Sequence, residues 1–170
     1  EIDNNSLKVI SKDLILSNSS EAIIIGDQNS KGILLRGYLE NDFSRLEIIN
    51  NENFVGQKKK LEKNFISIGR ELSFNLDLEI GDNITIMSSS GVETIIGNLP
   101  KKKIFTVLSI FDSGLADFDN NVIFINLETL EEFSNLLEKD RYIEVYLKNP
   151  QTIENKKDIV QNILPNDFVS

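Results

Sequence analysis

The sequence contains no cysteine and no histidine. Their absence excludes a Cys/His zinc site, a thiol nucleophile and a histidine-based catalytic triad. It leaves the compartment open, because a cysteine-free chain suits the cytosol and equally an oxidising space where stray disulfides are avoided. No run approaches the roughly 18–20 apolar residues of a membrane-spanning helix. No signal peptide is recognisable, and no GxGxxG, phosphate-loop or GxSxG pattern occurs. Basic charge is also scarce: the net charge of −9 lacks the footprint for nucleic acid and disfavours adsorption on anionic lipid.

What is present describes an ordinary globular chain. There are 170 residues, 40% apolar and 26% charged, enough for one domain or two small lobes. The chain opens at Glu1 without methionine and stops at Ser170, so we expect a piece of a longer protein.

Residues 6–17 read as a strand, and 21–38 as a hairpin with turn chemistry in GDQNSKG. Residues 40–56 suggest one helical turn, and the charge run 58–63 a solvated turn. FISIG (65–69) alternates as a strand, and Leu72, Phe74 and Leu76 follow at near-helical spacing. Residues 79–82 read as a turn before the strand NITIM (83–87). KIFTVLSIFD (103–112) and NVIFIN (121–126) read as strands, the second buried. GLADFDNN (114–121) reads as a loop. With Asp112 it carries three aspartates, but the broken spacing and missing closing Glu favour a solvated loop over a calcium site.

Residues 127–140 form the best helix, with Leu127, Leu130, Phe133, Leu136 and Leu137 on one stripe and Asn126 as N-cap. RYIEVYLKN (141–149) alternates as a strand, and 149–167 suits a helix capped by Asn149, begun by Pro150 and ended by Pro165. Strands dominate and do not alternate regularly with helices, so the predicted class is α+β. The carboxylates are scattered, no activated nucleophile can be named, and no enzyme, metal or cofactor is expected.

The stretch GVETIIGNLPKKK (91–103) between two strands raises a question of its own. It is longer than most hairpin loops, and Ile95, Ile96 and Leu99 argue against disorder. Two alternatives follow. The arm projects and docks a partner at low entropic cost, or it folds back and its isoleucines seal one edge of the core.

An ordered series of motifs bears on this choice. It comprises Leu78-Glu79-Ile80-Gly81-Asp82-Asn83-Ile84, then Gly97-Asn98-Leu99-Pro100-Lys101, then Phe111, Gly114 and Asp117-Phe118-Asp119 before a strand and helix, with GILLRGY at 32–38. The series, over roughly 20–147, resembles the periplasmic domain of lipoprotein-releasing ABC transporter permeases of the LolC/LolE type. The resemblance implies a non-catalytic domain of a multi-pass permease at the periplasmic face of the bacterial inner membrane. It implies as partners a periplasmic lipoprotein carrier, a cytoplasmic ABC ATPase subunit, a second permease subunit and the lipoprotein substrate. It implies two lobes: a porter-like one from 1–50 and 141–170, and a central β-rich (Sabre-like) one over 54–140 carrying a protruding hairpin, 88–100. The carrier-binding residues carried over are Thr94, Ile95, Ile96, Gly97, Asn98, Leu99, Pro100 and Lys101, with a flanking pad of Thr85, Lys102 and Lys103. Two departures stand out: Ile95 replaces the tip proline of the family's T-P-x-G, and Thr85 an expected arginine. The alternative is a macrolide-exporter-type permease domain that binds an adaptor protein.

Overall fold

A computed structural model describes residues 11–26, 30–58, 60–95 and 97–148. The predicted C-terminal helix over 149–167 lies outside them. Contacts separate a compact unit, Leu16–Tyr142, from a second that is described only through the start of β1 (Ser11–Ile25) and through β8 (Tyr142–Leu147), adjacent strands of one sheet. Each is treated separately below.

In the larger unit, six strands close into a ring. They are the later part of β1, β2 (Ser30–Tyr38), β4 (Phe65–Gly69), β5 (Asn83–Thr94), β6 (Gly97–Phe111) and β7 (Val122–Asn126). The order runs β1–β2–β7–β4–β6–β5 and returns to β1. The β2–β7 and β4–β6 pairs are parallel and the others antiparallel. A two-residue strand, β3 (Val55–Gly56), adds to β6.

Strand periodicity explains the closure. Alternate side chains share a face, and each ring strand sends one such pair inward: Ala22 and Ile24, Ile33 and Leu35, Ile66 and Ile68, Ile84 and Ile86, Phe105 and Val107, Ile123 and Ile125. Leu72, Leu130 and Phe133, from the helices, complete this cluster. With every pair facing one interior, a one-residue slip in any strand would turn its apolar pair outward.

The α+β class is as expected, and so are the hairpin at 21–38 and the buried strand 122–126. Several local expectations are corrected. The described part of the predicted strand 6–17, from Ser11 on, and the first hairpin strand are one continuous β1, because the polar break is satisfied in place: buried Ser17 donates its hydroxyl to the Gly37 carbonyl at 3.0 Å. FISIG does not alternate in burial. Ser67 is buried too, accepting from or donating to the Ser109 hydroxyl at 2.8 Å, and both faces of the strand are covered. The helix α1 (Arg70–Leu76) buries Leu72 but leaves Phe74 largely exposed.

Residues 114–121 are not a loop. Ala116–Asn121 forms α2, and Asp119 is buried, its carboxylate accepting from the Ser113 backbone N–H at 3.0 Å and from the Ser113 hydroxyl at 2.5 Å. Here an aspartate caps the preceding turn, a use that composition does not distinguish from a solvated loop. The helix expected over 127–140 stops early: α3 spans Leu127–Ser134, and Asn135 adopts the left-handed conformation (φ 54°). The Leu136 N–H returns to the Glu131 carbonyl at 3.0 Å, as in a Schellman ending, and Leu137 is exposed. The expected N-cap is present, Asn126 Oδ1 accepting from the Thr129 N–H at 3.1 Å.

Candidate functional site

The unusual stretch 91–103 is neither a loop nor a fold-back. Both strands of the β5–β6 hairpin run through it, pairing Gly91 with Pro100, Val92 with Leu99, Glu93 with Asn98 and Thr94 with Gly97. The sequence reading placed a long connection there because Gly, Pro and a lysine run are poor strand formers. Cross-strand pairing overrides that propensity. The pairing runs out to Thr94 and Gly97, and Gly97 has φ 117°, a conformation that L side chains rarely adopt.

This ribbon outruns its neighbours. The register of β1 on β5 ends at Ser88, and that of β4 on β6 begins at Thr106. Between those limits and the tip, the arm is held laterally by no other strand among the described residues. Its tip residue Ile95 is fully exposed, and Leu99 is 52% exposed. Apolar groups therefore stand in water on a two-stranded arm.

The register separates the residues expected to act together. Thr85 pairs with Ile104, and Met87 with Lys102. Directly paired residues share a face, so Thr85, Met87, Lys102 and Ile104 lie on the outer face, where Ile104 is 63% exposed. Lys103 pairs with Ile86 and faces the opposite way, its ammonium 5.3 Å from the centre of the Phe105 ring. The expected pad of Thr85, Lys102 and Lys103 is thus split across the ribbon.

Lys101 has a third environment. Its ammonium donates to the Glu132 carbonyl of α3 at 2.7 Å and to Asn135 Oδ1 at 2.6 Å. Asn135 Nδ2 in turn donates to the Gly91 carbonyl at 3.0 Å. A lysine near a helix C-terminus satisfies an orphan carbonyl and complements the negative end of the dipole. Lys101–Lys103 with Thr129, Glu132 and Phe133 line a groove of about 350 Å³ between the ribbon and α3. Sequence reasoning missed Asn135. Its signal, an asparagine of the kind that takes a left-handed C-cap, was masked by Leu136 and Leu137, which continue the apolar period past it.

Behind α3, Glu131 accepts from Arg141 Nε at 2.6 Å and from its Nη2 at 2.7 Å. These bonds hold the Glu131 carboxyl below the usual carboxylate range. They also anchor the helix against the chain leaving the unit. No cluster of histidine, cysteine or acidic residues suited to a metal occurs among the described residues. No described helix is long and apolar enough to cross a membrane.

No family model matches the chain. Among curated proteins it is 25% identical, over 119 residues and 69% of its length, to the lipoprotein-releasing system transmembrane protein LolC of Xylella fastidiosa strain Temecula1. It is 22% identical over 135 residues to the protein of the same name from Neisseria meningitidis serogroup B, covering 78% of the chain. The chain spans only 29% and 32% of those relatives. Among solved structures, the periplasmic region of MacB from Actinobacillus actinomycetemcomitans aligns with a TM-score of 0.50 at 10% identity, over 96% of this chain and 74% of that one. The chain thus resembles the LolC proteins of lipoprotein-releasing systems in sequence, and its α+β architecture is similar to that of the periplasmic region of MacB.

Proposed function

We propose that this chain is the non-catalytic periplasmic docking domain of a lipoprotein-releasing ABC permease, and that the β5–β6 arm receives a soluble periplasmic lipoprotein carrier. The observation that carries the reading is the fully exposed Ile95 at the tip of a ribbon extending past the strands beside it. A short, unextended connection would have favoured an adaptor-binding domain of the macrolide-exporter type. In this reading the carrier takes the residues around Ile95, Ile96 and Leu99, and Lys102 on the outer face offers positive charge to an acidic rim. The ATPase, the second permease subunit and the lipoprotein belong to the assembly around the domain, at the periplasmic face of the inner membrane. The expected division into a lobe from 1–50 with 141–170 and a central lobe over 54–140 is carried in this proposal with its boundaries moved, the central unit running from Leu16 to Tyr142.

The test is binding of the purified carrier from the same organism to the wild-type chain and to Ile95→Asp/Ile96→Asp. Burying one isoleucine is worth about 1.5–3 kcal/mol, so losing it weakens binding roughly 10- to 100-fold. Charge reversal at Lys102 gives a smaller loss that shrinks with salt. Both variants keep the wild-type melting temperature, Ile95 being in water already. Equal affinity of wild type and double variant, or no binding by the wild type, overturns the proposal.

A further inference from the structure

A two-stranded ribbon is barely stable alone, and this one is weakened at its root. The register shifts between Met87 and Gly91, so Ser88, Ser89 and Ser90 bulge opposite Lys101. Bulges bend a ribbon and increase its local twist. The bulge also lies where lateral support ends, since Ser88 is the last β5 residue paired to β1. The arm's direction would therefore be soft at this level if the strands alone determined it.

Asn135 sits at that pivot. Its amide grips both strands at the bulge, accepting from Lys101 opposite it on β6 and donating to the carbonyl of Gly91, which follows it on β5. Lys101 adds a second tie to the Glu132 carbonyl. The platform is firm, because Leu130 and Phe133 of the same helix are buried in the ring's core. Asn135 is also the left-handed C-cap of α3, so its position at the end of the helix is fixed by the helix ending itself.

We infer that Asn135 and Lys101 are positioning residues, a latch between the C-terminus of α3 and the pivot of the arm that sets the arm's direction. Lys101 then works on the arm rather than on a partner, and Lys102 is the lysine of the three left facing outward. The consequence for carrier binding rests on the docking reading above; the latch itself does not.

The chain has no native cysteine, so a spin label at Glu93→Cys on the arm and another at Glu128→Cys on α3 report their separation cleanly. In the wild-type background we expect one narrow distance distribution. Asn135→Gly keeps a residue that favours the left-handed backbone and removes only the amide. It should melt no lower than wild type, yet the distribution should broaden roughly twofold, since the ribbon now samples several directions. Lys101→Met should broaden it as well, and Lys101→Arg should restore it by keeping a cationic donor. With the carrier, Asn135→Gly should bind about 3- to 10-fold more weakly, as the competent direction is only fractionally populated. An unchanged distribution in the folded Asn135→Gly chain overturns the latch. A broadened distribution with unchanged carrier affinity overturns its role in docking. Loss of binding by the wild type itself falls on the docking reading and leaves the distance measurement intact.

Discussion

Replacing Gly69 by alanine adds one methyl group where the structure has no room for it. Gly69 ends β4 and precedes α1, and it lies directly against the backbone of α2. A Cβ there would stand 2.0 Å from the Asp119 carbonyl oxygen, and 2.5 Å from both its carbonyl carbon and its Cα. None of these atoms belongs to a flexible side chain. Relief requires α2 to retreat by about 1 Å or more, toward ordinary van der Waals separation. That retreat disturbs two things. Asp119 is tied to Ser113 through its carboxylate, and Phe118 packs edge-on to Phe111 at 6.0 Å and against Phe124 at 6.3 Å. Overpacking typically costs about 1–3 kcal/mol, and contact with rigid backbone puts this case at the upper end. For a domain of this size, about 3 kcal/mol lowers the melting temperature by roughly 6–12 °C. The control is Gly32→Ala, where nothing lies within 4 Å of the new methyl. Chemical denaturation of both variants, followed by far-UV circular dichroism, checks the argument. Gly69→Ala within about 0.5 kcal/mol of wild type, the range of an ordinary surface change, would refute the reasoning.

Two further predictions concern polar groups in the core and at α3. Ser67→Ala leaves the buried Ser109 hydroxyl without its partner and should cost about 1–3 kcal/mol, whereas the double variant Ser67→Ala/Ser109→Ala should recover part of that loss, both read from denaturant midpoints. Glu131→Gln should destabilise by about 1–2 kcal/mol, because the largely buried Arg141 keeps only its longer contact with the exposed Glu138 at 3.4 Å as an ion pair. The folded-state carboxyl of Glu131 lies below its ordinary value of 4.5, so its contribution is fully present above that pH and is lost as pH falls through the lowered value. Acid titration of stability should accordingly be steeper below about pH 4.5 in wild type than in Glu131→Gln.

Local chemistry made much of this architecture readable. Asn126 announces the start of α3 by its side chain alone, and the continuous apolar run at 122–126 marks a strand covered on both faces. The ordered series of motifs, from 32–38 through 78–84 and 97–101 to Phe111, Gly114 and Asp117–Asp119, suggested the family resemblance. Other elements were hidden because distant partners decide them. Gly91, Pro100 and three lysines look like a loop until each is paired across the ribbon. Asp119 looks solvated until Ser113 is seen beside it. Phe74 was grouped with Leu72 and Leu76, but standing two residues from each it lies about 200° round the helix, on the solvent face. Ring closure was not legible, because it rests on β2 meeting β7 and β1 meeting β5. As for the arm, the sequence identified its residues but not which lysine faces outward, since that depends on register and on the asparagine at the end of α3.

The closed strand circuit also dictates an order of events during synthesis. Leu34 cannot find its parallel neighbour until Val122 exists, and Ile25 must wait for Thr85. A nascent chain that has emerged only as far as its first hairpin carries half-made edges with no means of shutting them. Such non-local pairing makes acquisition of the native state slow, on the scale of milliseconds to seconds. A premature stop before residue 126 would leave an open, sticky sheet rather than a smaller version of the domain.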